Sequence, residues 1–253
     1  MFSAPPTLKT EVFASIPVEF RQAGKLSQER IQAGKGTLKT DSFIEGPAFD
    51  QFGNLYIVDI AFGIIYRISP QGIVKKMAEY IGEPNGLKIH TDGRIFVTDH
   101  LNGLMQCDPS TGKMTTIANR FRTESFKGLN DLVFSRDGDL YFTDQGQTGL
   151  QDPSGRVFRL NQDGSMECLL NNVPSPNGIV LSPDERFLFV AATRGNCVWR
   201  MPLLPDGSVS KVGQFFTSYG PSGPDGLAMD ESGRLLVANP GLAYVWVLSQ
   251  YAE

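Results

Sequence analysis

The stretch PNGLKIHTDGRIFVTD, residues 84–99, holds two short apolar runs joined through Asp92-Gly93. An Asp-Gly step supplies the left-handed backbone of a tight hairpin, and Ile95-Phe96-Val97-Thr98 is made of β-branched and aromatic strand formers. The same order of turn, strand, polar turn and strand recurs along the chain. It reads EGPAFDQFGNLYIVD at 45–59, GLNDLVFSRDGDLYFTD at 128–144, PNGIVLSPDERFLFVA at 176–191 and PDGLAMDESGRLLVAN at 224–239. With Glu45, Asn85, Asn130, Asn177 and Asp225 taken as equivalent, the spacings are 40, 45, 47 and 48 residues, the period of a four-stranded propeller blade.

A second hairpin follows in most units. Ile64 to Ile68 lead through Ser69-Pro70-Gln71-Gly72 into Ile73-Val74, and Arg156 to Leu160 lead through Asn161-Gln162-Asp163-Gly164 into Met166 to Leu170. Two hairpins per unit make four strands, and no long helical periodicity occurs after the first 40 residues. A β-sandwich gives no reason for one turn chemistry to recur five times near one spacing. The expectation is therefore a single all-β propeller domain over residues 1–253, with 41–253 as blade repeats and 1–40 as an N-terminal segment. A further 40–48 residues after Asp225 would run past Glu253, so the count does not close, and a last blade is expected to be incomplete in the 253 residues.

Composition agrees with a folded, turn-rich protein: 27 Gly and 16 Pro accompany 41% hydrophobic residues. The 23 basic and 27 acidic residues give a net charge of −4, which lacks the cationic footprint of a nucleic-acid binder. No apolar run approaches the roughly 20 residues of a spanning helix. Three cysteines, far apart and without CxxC spacing, suit a reducing compartment. A cytoplasmic protein without a membrane or nucleic-acid partner is expected, as a monomer or weak homodimer.

In a propeller the first strand of each blade lines the central channel, so its opening residues converge on the axis. Glu45, Asn85, Asn130, Asn177 and Asp225 all offer oxygen, with no Cys or His among them. Such a set suits a hard cation, Ca²⁺ first, with Mg²⁺, Mn²⁺ or Zn²⁺ as alternatives. Pro-Asn-Gly and Pro-Asp-Gly are also ordinary turn sequences, but a Glu before Gly-Pro is not a favoured turn residue and its charge calls for a counter-ion. Each second strand ends at the same face, which places Asp59, Asp99, His100, Asp144, Gln145, Thr193, Arg194 and Asn239 at the rim. Of these, His100, Asp144, Gln145 and Arg194, with Asn85, are the candidate substrate contacts. The aspartates could equally bond turn amides, and His90 reads as structural.

Residues 40–253 resemble the SMP30/gluconolactonase/LRE-like family. The motifs that carry the likeness are Glu45-Gly46-Pro47, Asn130-Asp131, Ser175-Pro176-Asn177-Gly178 and Gly223-Pro224-Asp225-Gly226-Leu227. The resemblance implies a six-bladed propeller with a divalent cation, usually calcium, in the channel. It makes Glu45, Asn177 and Asp225 metal ligands, and Asn130 a ligand or a contact to substrate or bound water. Asn85 is not a regular ligand there and falls behind the ligands or on the substrate. It also implies that residues 8–16 form a strand closing the ring, and that about one more blade follows Glu253.

The chemistry expected of this site is opening of a small sugar-type lactone, the metal acting as Lewis acid and Asp225 as general base or nucleophile, with Glu45 holding the ion. No GxSxG elbow occurs and only two histidines exist, which argues against a serine hydrolase. Phosphotriester hydrolysis, a strictosidine-synthase-like condensation, or a non-catalytic binding platform are the rival readings.

Overall fold

The computed structural model describes residues 6–32 and 36–250. Four antiparallel four-stranded sheets and one three-stranded sheet follow one another along the chain, each in simple up-and-down order. Blade one is β1 (Ile44–Phe49), β2 (Leu55–Asp59), β3 (Ile64–Ile68) and β4 (Val74–Glu79). Blade two is β5 (Pro84–Ile89), β6 (Ile95–Asp99), β7 (Gly103–Cys107) and β8 (Met114–Ala118). A small hairpin, β9 (Arg120–Phe121) and β10 (Glu124–Ser125), which the repeat did not foretell, precedes blade three. Blade three is β11 (Leu129–Phe134), β12 (Leu140–Asp144), β13 (Gly155–Leu160) and β14 (Met166–Val173). Blade four is β15 (Pro176–Leu181), β16 (Phe187–Ala192), β17 (Cys197–Pro202) and β18 (Gly213–Thr217). Blade five has three strands, β19 (Leu227–Met229), β20 (Leu235–Asn239) and β21 (Tyr244–Leu248). The propeller expected from the repeat is therefore present as five blades among the described residues, and a sixth is not part of them.

The turns follow from local chemistry. Gly93, Gly138 and Gly233 close the first hairpins with φ of 89°, 92° and 77°. Asp92 and Asp230 accept backbone N–H groups two and four residues on, so the side chain fixes the loop. The second strands of blades two and three are buried on both faces: every residue of β6 and β12 is buried. One face of each meets the preceding blade and the other the following one. Phe142 packs with Phe96 and Leu104 of blade two, while its neighbour Tyr141 packs with Ile179 and Leu188 of blade four.

The first strands contact one another in series, β1 with β5, β5 with β11, β11 with β15 and β15 with β19. Glycine is required where they meet. A Cβ on Gly178 would lie 2.5 Å from the Asp225 carbonyl oxygen, and one on Gly46 would lie 2.5 Å from that of Asn85. The Asn-Gly steps of residues 85–86 and 177–178 thus lie within strands at a close backbone approach, not in the turns that their sequence suggests.

The N-terminal segment departs from expectation. Residues 8–16 form no strand; Ile16 instead packs with Ile57, Ile64, Tyr66 and Ile68 on the blade-one face turned away from blade two. A strand requires a partner row of backbone groups, and this segment's partner is a wall of side chains. Further on, a short helix α1 (Gln28–Gln32) rests on the rim through Arg30, whose guanidinium donates to the carbonyls of Ala61 and Gly82.

Candidate functional site

Four of the five channel strands begin irregularly, and β19 pairs without a slip from Leu227 onward. Pairing slips between Glu45 and Ala48, Pro84 and Gly86, Leu129 and Leu132, and Pro176 and Ile179. A bulge of this kind breaks the alternation of side chains and re-aims them, so the residues at each break turn into the channel. Glu45, Asn85, Asn130, Asn177 and Asp225 all line one cavity of about 360 Å³, as the repeat predicted. Two further groups in its wall were not singled out from the sequence, Asp131 and Lys88. The neighbouring Asn130-Asp131 pair was the available signal, because a bulge lets consecutive residues share one side. The Lys88 ammonium stands 3.8 Å from the Asp131 carboxylate, which also accepts the backbone N–H groups of Leu132 and Ile179 at 2.8 and 3.2 Å.

Burial pushes the Glu45 carboxyl up to about 7, with the negative charges of Asp225 and Asp131 adding to the effect and the Gly46 N–H opposing it. The Asp225 carboxyl is likewise raised, first by burial and then by Asp131, against a hydrogen bond from Asn177. Two carboxyls are therefore held where their ionised forms lack compensation, while the cation in the wall pairs with Asp131. The Asn130 side chain donates its N–H to Gln145 at 2.9 Å, which leaves its own oxygen available to the channel. Among the described residues no three His, Cys, Asp or Glu side chains form a metal cluster by themselves. The set is mixed, two carboxyls and amide oxygens, and its oxygen chemistry and uncompensated charge fit a hard divalent cation.

The rim residues separate into two kinds. Asp144 is fully buried: it accepts the N–H groups of Lys127 and Gly128 at 2.7 and 2.9 Å and pairs with Arg156 at 2.6 Å. The expected substrate contact at Asp144 is thus corrected to a buried ion pair, because a carboxylate at the strand end is engaged by the amides of the adjoining loop. Asp59 and Asp99 bond loop amides in the same manner, and Asn239 is bound by Ser218 and Tyr219. His100 lies over Gly128, whose absent side chain leaves room for the imidazole, and it lines neither cavity. Gln145 and Arg194 do line a cavity, a second one of about 540 Å³ beside the channel, together with Gln147, Thr148, Gln151 and Ser175.

Residues 43–251 match the SMP-30/gluconolactonase/LRE-like region as a protein family. The chain belongs to that family. A gluconolactonase of Zymomonas mobilis is 31% identical over 205 residues, 73% of this chain and 58% of its own. Lactonase drp35 of Staphylococcus aureus strain MW2 is 31% identical over 219 residues, 82% of this chain and 66% of its own. This family member thus spans under two-thirds of the length of those curated relatives. A gluconolactonase of Xanthomonas campestris has the same fold at a TM-score of 0.75 and 23% identity, over 84% of this chain and 74% of that one. A calcium-binding regucalcin of Agrobacterium tumefaciens follows at 0.71 and 23%, over 83% and 72%. Among the described residues no helix is long and apolar enough to cross a membrane.

Proposed function

We propose that the channel hydrolyses a small, sugar-type lactone with one divalent cation, Ca²⁺ first, held by Glu45, Asn130, Asn177 and Asp225. The observation that carries this reading is the convergence of two carboxyls, both raised by burial, with amide oxygens on one cavity. The names of the relatives support the substrate class. When bound, the cation supplies a Lewis acid for the lactone carbonyl oxygen. Asp225, oriented by its bond from Asn177, takes the proton of a water whose oxygen adds to the carbonyl carbon. That proton passes to the ring oxygen as the ring C–O bond breaks, and a hydroxy acid is left. Direct attack by Asp225 would use the same placement. A binding platform needs no carboxyls placed where burial opposes their charge, and this sets it behind the hydrolase. We also propose a sixth blade seated on blade five, in keeping with the greater length of the relatives.

The test is Asp225→Asn assayed on a panel of lactones before and after chelation. The expected loss in turnover is at least about 10² to 10³, with a melting temperature close to that of the parent, and with parent activity removed by EDTA and restored by Ca²⁺. Hydrolysis by the variant at the parent rate would remove Asp225 from the mechanism.

A further inference from the structure

The cavity beside the channel differs from it in charge. Among the described residues its only charged lining residue is Arg194, in the turn after β16, and the other polar groups are the amides of Gln145, Gln147 and Gln151 and the hydroxyls of Thr148 and Ser175. The channel, in contrast, is lined by Glu45, Asp131 and Asp225 with Lys88 alone opposite. The Arg194 side chain is exposed and makes no ion pair among the described residues.

The floor is built rather than incidental. Ser175 is buried at 4% exposure and is held in the left-handed region at φ 60°, a conformation unusual for serine that persists only where its surroundings impose it. Its backbone N–H donates to the Thr148 hydroxyl at 3.1 Å, and its own hydroxyl accepts the Gln145 amide at 2.9 Å. The Ser175 hydroxyl hydrogen has no acceptor among the described residues, so a buried donor faces the cavity. The other end of the Gln145 amide accepts from Asn130 at 2.9 Å. One side chain therefore forms the partition between the two cavities, with Asn130 on the channel side and Ser175 on the other.

We propose that the side cavity is a subsite for an anionic, hydroxylated arm of the substrate, with Arg194 meeting a carboxylate and Gln145 and Ser175 meeting hydroxyls. The proposal deepens the lactonase reading and rests on it for the reaction itself. An arm bearing negative charge is attracted by Arg194, so the electrostatics orient the molecule with its ester over Asn130 and its acid end outward. Guanidinium suits this role because its fork pairs with a carboxylate bidentately.

The experiment measures binding, independently of turnover. The whole chain in EDTA is titrated calorimetrically with D-gluconate and with D-glucitol, a neutral polyol of matching length. Expected are gluconate binding at least tenfold tighter than glucitol, and a loss of at least tenfold in gluconate affinity in Arg194→Met, with the weak glucitol affinity unchanged. Absence of gluconate binding overturns the proposal, as does equal gluconate binding by parent and Arg194→Met. Because Arg194 is exposed, the variant is expected to melt with the parent. A binding result of either sign stands whether or not any lactone is turned over, so the two readings fail separately.

Discussion

Asp144 and Gln145 are adjacent in sequence, yet one lies inside the protein and the other forms the wall between two cavities. The sequence shows both as polar residues at a strand end; only the surrounding partners distinguish them, and Arg156, twelve residues later, is the partner that draws Asp144 inward. Removing one member of a buried pair costs the other its compensation, and Arg156 would keep only the exposed Glu124 carboxylate at 3.1 Å. Asp144→Asn is therefore expected to lower stability by about 3 kcal/mol, read from the urea midpoint, with KM for a lactone unchanged. Glu45 gives the pH dependence. Its proton affinity is raised from the ordinary 4.5 to about 7, so the folded, cation-free chain favours the protonated form. The stability from that proton is fully present below about 4.5 and is lost as pH rises through about 7. In EDTA, the melting temperature of the parent relative to Glu45→Gln should fall across that window. A difference that stays level or rises would mean that Glu45 ionises freely.

The strand-and-hairpin alternation of the blades was legible, the added β9–β10 hairpin aside, since Asp-Gly turns and β-branched runs act locally. What the sequence concealed was the beginning of each channel strand. Asn85-Gly86 and Asn177-Gly178 have the composition of turns, but their glycines serve the approach of the next blade's backbone, a contact between residues more than 40 positions apart. Overpacking at such a contact destabilises by roughly 1 to 3 kcal/mol. Gly178→Ala, whose methyl would meet Asp225 and Leu227, is expected to lose about 2 kcal/mol on that scale. At Gly226 an added Cβ meets nothing within 4 Å, so Gly226→Ala should shift the denaturation midpoint little. Equal effects of the two substitutions would refute the account of the glycines. Asp131 and Lys88 escaped the sequence reading for a related reason: strand alternation predicts facing correctly only where no bulge interrupts it.

For the whole molecule, periodicity gave the architecture and five of its blades, and it could not show how blades one and five present their outer faces. Blade one is covered there by Ile16 and Phe20. Blade five turns Val245 and Val247 outward, 57% and 49% exposed, beside Leu236 and Ala238 in register with them. A contiguous apolar face of this kind marks a surface fit for association. The 253-residue chain is expected to bind a hydrophobic dye there, and Val247→Asp to reduce the signal at least about twofold; an unchanged signal would locate the dye elsewhere. Three threonines at the ends of the second strands, two just inside and one just beyond, have a different consequence. Thr98, Thr143 and Thr193 donate their hydroxyls to the carbonyls of Asn130, Asn177 and Pro224, so blades two, three and four each grip the opening of the next. The grips all point one way around the axis, which makes the innermost strands a ratcheted series: neither blade three nor blade four can swing outward without tearing a bond on both sides. Amide hydrogens along β11 and β15 should then be among the last to exchange, through openings that involve neighbouring blades together rather than one at a time.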